Sequence, residues 1–125
     1  MTPFERQLSD LKELHPAVAS ERLPDGSFAV VVPDVTLPDG WTAKTATVRF
    51  IAPVGFPQSR PDCFWTDPQL RLSGGQAPQN TGNNAMPQGP TPLLWFSWHV
   101  QNWSPNADTL TTYLNVIRKR FAELR

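Results

Sequence analysis

Proline constrains this chain more than any other residue. Fourteen prolines are spread through 125 residues and are not gathered in one tract, against a usual share of about 5%. Most of them mark turns between short apolar segments, because proline has a fixed φ and no N–H to give to a helix or a ladder.

Helical periodicity is read at the two ends. Thr2 is placed to be an N-cap, Pro3 suits the first helical position, and Glu5 completes a capping box. Phe4, Leu8 and Leu11 recur at helical spacing, with Leu14 broadening the stripe. His15-Pro16 ends this helix, since a residue before proline avoids the helical region. His15 is read as a cap on terminal carbonyls. The second helix is expected over Asp108 to Leu124, where Leu110, Tyr113, Leu114, Ile117, Phe121 and Leu124 form one apolar stripe. Asp108 or Thr109 caps it. Arg118, Lys119, Arg120 and Arg125 complement the negative end of its dipole and are read as a solvated face.

Between the helices the pattern changes to strands and turns. Leu-Pro-Asp-Gly occurs twice, Leu23 to Gly26 and Leu37 to Gly40, with proline and glycine where a type I turn wants them. Asp25 and Asp39 are therefore turn residues. Phe28 to Val32 and Thr45 to Ile51 are rich in β-branched residues, and Ala46, Val48 and Phe50 alternate onto one face. A short strand is expected over Asp62 to Trp65. Leu70 to Pro92 then reads as an irregular excursion, after which Leu93-Leu94-Trp95-Phe96 re-enters the core. The fold class is α+β: an N-terminal helix, a four-stranded antiparallel meander, an irregular loop at 70–92 and a C-terminal helix, in one domain over 1–125.

Composition narrows function. Eleven basic and eleven acidic side chains cancel without long blocks, which argues against nucleic acid or anionic membrane as a partner. No apolar run approaches the ~20 residues that span a bilayer, and no secretory signal is visible, so a cytoplasmic protein is expected. One cysteine excludes an internal disulfide framework. With two histidines spread far from it, no metal site and no cofactor are expected. Trp95, Trp98 and Trp103 lie close together and read as core packing ahead of a ligand-stacking surface.

Phe56-Pro57-Gln58-Ser59-Arg60-Pro61, then an irregular loop, then Trp103-Ser104-Pro105 leading into a helix, resemble the ordered motifs of the ubiquitin-conjugating (UBC) superfamily. The first looks like the family's Tyr-Pro-x-x-Pro-Pro, with tyrosine replaced and one proline missing. Leu94-Trp95-Phe96-Ser97-Trp98-His99 further resembles its bacterial branch, prokaryotic UBC family E. The resemblance implies a UBC-like fold and an activity: taking a ubiquitin-like protein from an activating-enzyme homologue and passing it to an acceptor. By the same analogy the first helix, with Arg6 and Lys12, docks the activating enzyme.

The departures from that pattern decide the candidate residues. Eukaryotic members keep the nucleophilic cysteine eight residues before the tryptophan of Trp-Ser-Pro, and counting back from Trp103 reaches Trp95. Ser97 carries the nearest hydroxyl, and His99 at i+2 shares its face in an extended segment. A hydroxyl needs a base to accept its proton, so the expected set is Ser97 as nucleophile, His99 as acid/base and Asn80 as oxyanion donor, with Asn83 and Asn84 as alternatives. The conjugate would then be an oxyester. Cys63 is expected to be a buried structural thiol, with conjugation through it a weaker idea. A non-catalytic UBC-like module that binds a ubiquitin-like protein or a partner subunit is the other class of function.

Overall fold

A computed structural model describes residues 1–87 and 89–125. Helix α1 (Pro3–Leu14) is followed by β1 (Ala19–Arg22), β2 (Phe28–Thr36), β3 (Thr45–Ala52), β4 (Phe64–Thr66), β5 (Thr81–Ala85) and β6 (Pro92–Phe96), and α2 (Leu110–Phe121) closes the order. The strands form one six-stranded sheet in the order β1-β2-β3-β4-β6-β5, antiparallel throughout.

Both helices begin where their caps direct. Glu5 N–H donates to Thr2 Oγ1 at 3.1 Å while Thr2 N–H donates to Glu5 Oε1 at 3.2 Å. Of the two candidates for the α2 cap, Thr109 takes the role: its Oγ1 accepts from Thr112 N–H at 3.2 Å, and Thr112 Oγ1 accepts from Thr109 N–H at 3.1 Å. Asp108 instead accepts from Ser104 N–H at 2.7 Å and shapes the turn that feeds the helix. Thr109→Ala is expected to cost about 1 kcal/mol, read as a lower denaturation midpoint at unchanged slope.

The α2 stripe lies on the sheet. Leu110, Tyr113, Leu114, Ile117 and Phe121 are buried against Ala46, Val48 and Phe50, which alternate inward along β3. Phe121 makes edge-on contacts with Trp41, Phe64 and Phe96. Trp41 Nε1 donates to Phe121 O at 2.8 Å, giving one of the last helical carbonyls a partner. Phe4 of α1 stacks on Phe28 of β2 at 4.1 Å between centroids. Gln7 accepts from Leu110 N–H at 3.0 Å and joins α1 to the start of α2.

Four expectations are corrected. The sheet has six strands where a four-stranded meander was read, because Ala19–Arg22 adds β1 at one edge and the 70–92 segment supplies β5 at the other, beyond β6 in the strand order. The β5 sequence Thr-Gly-Asn-Asn-Ala is a poor strand former, and only pairing to β6 makes it one. Leu14 is 63% and Leu124 54% exposed, so the apolar stripes are shorter than the periodicity implies. Arg120 belongs to the core, not to the solvated face, at 1% exposure.

Candidate active site at the open ends of three strands

The site is built by strand register. Phe96 of β6 pairs with Phe64 of β4 on one side and Thr81 of β5 on the other. One step beyond those pairs, Ser97 N–H donates to Asn80 O at 2.8 Å, and Cys63 N–H donates to Trp98 O at 3.0 Å. The start of β4, the end of β6 and the start of β5 therefore converge. They bring Asp62 and Cys63, Ser97 to His99, and Asn80 to one end of the sheet. Asn83 and Asn84 pair with Leu94 and Leu93 further along the β5–β6 hairpin, away from that end.

His99 is held by Asp62. Its Nδ1 lies 2.6 Å from Asp62 Oδ1, and both side chains are 58% exposed. With an ionised carboxylate as partner, which can only accept, a neutral ring would carry its proton on Nδ1 and leave Nε2 as the acceptor. Ser97 is half-buried, and among the described residues no hydrogen bond joins its hydroxyl to His99. The sequence reading paired His99 with Ser97; the side-chain partner in the fold is Asp62.

Cys63 is the third member of this corner. Its Sγ, a ring nitrogen of His99 and a carboxylate oxygen of Asp62 all lie within 4.8 Å of one another. The thiol is buried, and that burial pushes its pKa up, with the Asp62 charge adding to the effect. Cys63 has φ of 60° and Asn80 has φ of 61°, so both strand-end residues occupy the left-handed region. Such conformations persist where surrounding contacts over-determine them. At Cys63 those contacts are its own N–H to Trp98 and the Tyr113 hydroxyl, which donates to Cys63 O at 2.6 Å. Burial pushes the Tyr113 phenol well above its ordinary range, keeping it a neutral donor. Tyr113→Phe is expected to destabilise by about 1–2 kcal/mol, because it leaves a buried carbonyl without its partner. It should also speed alkylation of Cys63, measured with iodoacetamide.

Arg120 braces the other side. Its guanidinium sits over Trp98 at 5.2 Å and over Phe96 at 5.4 Å from the ring centroids. It donates to Gln79 O at 3.0 Å, Arg125 O at 2.8 Å and Glu123 O at 2.9 Å. The turn carrying Asn80 is thereby tied to the end of α2. Trp103 Nε1 donates to Pro57 O at 2.8 Å, joining the Trp-Ser-Pro segment to the Phe-Pro loop. The indoles of Trp95, Trp98 and Trp103 are neither free surface nor full core: Trp95 and Trp98 are half-buried, and Trp103 packs against Phe56.

This arrangement of a Phe-Pro loop bonded to Trp-Ser-Pro, with a sheet between two terminal helices, agrees with a match of residues 9–124 to the profile of prokaryotic E2 family E. The chain belongs to prokaryotic E2 family E. Its fold is α+β and UBC-like, and at the family level its role is conjugating-enzyme-like. No curated protein and no solved structure matches it significantly. Among the described residues no helix is long and apolar enough to cross a membrane.

For a member of family E, the side chains missed by sequence reasoning are Asp62 and Arg120. Asp62 lies 37 residues from His99 in sequence, and nothing short of the β4–β6 pairing brings them together. A cavity of about 610 Å³ between α1, β2 and the Phe-Pro loop is lined by Phe4, Leu8, Phe28 and Phe56, and none of its lining residues belongs to the strand-end corner.

Proposed function

We propose that this family E protein accepts a ubiquitin-like protein from an activating enzyme as a covalent ester and passes it to an acceptor. The observation that carries the reading is the Asp62–His99 pair, at 2.6 Å, on the same strand end as two nucleophile candidates. Asp62 sets the tautomer and holds the ring, as a carboxylate does for a catalytic imidazole. His99 Nε2 is then the group that takes a proton from the attacking hydroxyl and returns it to the departing group.

Ser97 is the proposed carrier. Its oxygen attacks the activated C-terminal carbonyl of the ubiquitin-like protein, a C–O bond forms, the bond to the activating enzyme's leaving group breaks, and His99 takes the hydroxyl proton. Asn80, joined to Ser97 through its backbone carbonyl, is the proposed side-chain donor to the developing oxyanion. Ser97 is preferred because a carrier must meet a bulky partner, and it is half-exposed where Cys63 is buried. Trp103 and Pro105 shape the ledge beside it, and α1, with Arg6 and Lys12 exposed, is the proposed docking face for the activating enzyme.

A second reading places the conjugate on Cys63 as a thioester, favoured by the sulfur lying within 4.8 Å of the His99 nitrogen. Incubation with an activating enzyme, ATP and a ubiquitin-like protein separates the cases. The expected adduct survives reductant, is cleaved by hydroxylamine, and is absent in Ser97→Ala. An adduct lost to reductant and to Cys63→Ala moves the carrier to the thiol. Measurable binding with no adduct under any condition overturns the enzyme reading in favour of a non-catalytic module.

A further inference from the structure

The geometry points to Asp62, Cys63 and His99 as a binding site for a thiophilic divalent cation, with zinc the best fit to the donor set. These donors would hold a cation whether or not the protein is a conjugating enzyme. One cysteine and two histidines spread widely along the chain spoke against a metal site. Folding brings three donors together: one sulfur, one imidazole nitrogen and one carboxylate oxygen lie within 4.8 Å of one another.

Those spacings can be compared with what a cation requires. Zinc bonds of about 2.3 Å to sulfur and about 2.0–2.2 Å to nitrogen and oxygen, in a tetrahedron, put neighbouring donors about 3.3–3.6 Å apart. The 2.6 Å between Asp62 and His99 must therefore open by about 1 Å, while distances toward the 4.8 Å limit close by a similar amount. The two side chains that must move are the exposed ones, each 58% accessible. The thiol is the fixed member, since the Cys63 backbone is held at both its N–H and its carbonyl.

Ligand chemistry selects the ion. A thiolate with an imidazole suits zinc and disfavours magnesium and calcium, which take oxygen ligands. Three protein donors leave the fourth position to water. On binding, the Cys63 thiol proton leaves to solvent and a metal–sulfur bond takes its place, while the neutral imidazole keeps its one proton on whichever ring nitrogen does not bind the cation. Nδ1 or Nε2 of His99 then serves the cation, so the metal-bound form cannot use that ring for proton transfer. The site would act as a reversible block on the corner described above.

Titration of the purified protein with cobalt(II), a coloured stand-in for zinc, tests this without any activating enzyme or ubiquitin-like protein. The expected result is a cobalt–thiolate charge-transfer band that saturates at one equivalent and is erased by zinc. His99→Gln and Asp62→Asn should each weaken binding by at least about tenfold, and Cys63→Ser should remove the band. Because Cys63 lies against the core, a second measurement guards against misfolding of that variant: zinc should protect Cys63 of the unaltered protein from iodoacetamide, and should not protect it in His99→Gln. Absence of a thiolate band, a band undiminished in His99→Gln, or no protection overturns the proposal.

Discussion

His99→Ala lowers the rate of transfer from the activating enzyme by about 100-fold or more, the usual contribution of a positioned acid/base. On the proposed reading the imidazole is the group that accepts the hydroxyl proton at the strand-end corner. Asp62→Asn is expected to cost about tenfold or more, because an amide at 2.6 Å no longer enforces the tautomer that leaves Nε2 basic. Both side chains are exposed, so neither substitution should move the stability by more than about 0.5 kcal/mol. Single-turnover kinetics of adduct formation, with a denaturation curve for each variant, checks the pair. Adduct formation at an undiminished rate in His99→Ala would remove the dyad from the mechanism and leave Asp62–His99 as a surface contact.

Arg120→Ala destabilises the fold by about 3 kcal/mol or more. The guanidinium is 1% exposed and supplies three carbonyls with donors. Hydrogen bonds to a charged group are worth about 1.5–3 kcal/mol each, and the three acceptors are only part-buried, so water replaces some of what is lost. Among the described residues the Nε of Arg120 has no partner, so the residue is not ideally satisfied and the net loss stays below the sum of its bonds. For a chain of this size a loss of about 3 kcal/mol lowers the melting temperature by roughly 10 °C. Arg120→Lys recovers only part of it, since an ammonium cannot reach three carbonyls in a planar fork. Urea denaturation of both variants reads the effect, and a midpoint within error of the unaltered protein would refute the bracing role. A local consequence should accompany the global one: release of Gln79 frees the turn that carries Asn80 toward Ser97, so backbone amide exchange at Thr81 and Ser97 should rise.

The helices and the caps were legible because they are local. Thr2, Pro3 and Glu5 specify the start of α1 within one turn, and the α2 stripe announces its buried face through a period that needs no knowledge of the partner surface. The β3 alternation is equally self-contained. β5 was not legible, since Gly, Asn and Asn carry no strand preference and pair only because β6 offers an edge. Arg120 misled for a related reason. A basic residue in the last turn of a helix complements the dipole wherever it points, and its position in sequence does not say that Trp98 and Gln79 lie over it.

An α+β chain with terminal helices and membership of a family through motifs kept in order were readable from the sequence. That His99 meets Asp62, that Cys63 stands beside both and that Arg120 ties down the neighbouring turn came from the fold. The physical reason is range. Capping, periodicity and turn preference act over a few residues of backbone, whereas a charge pair, a thiol's neighbours and a buried guanidinium's partners are fixed by which strand ends the sheet register brings together.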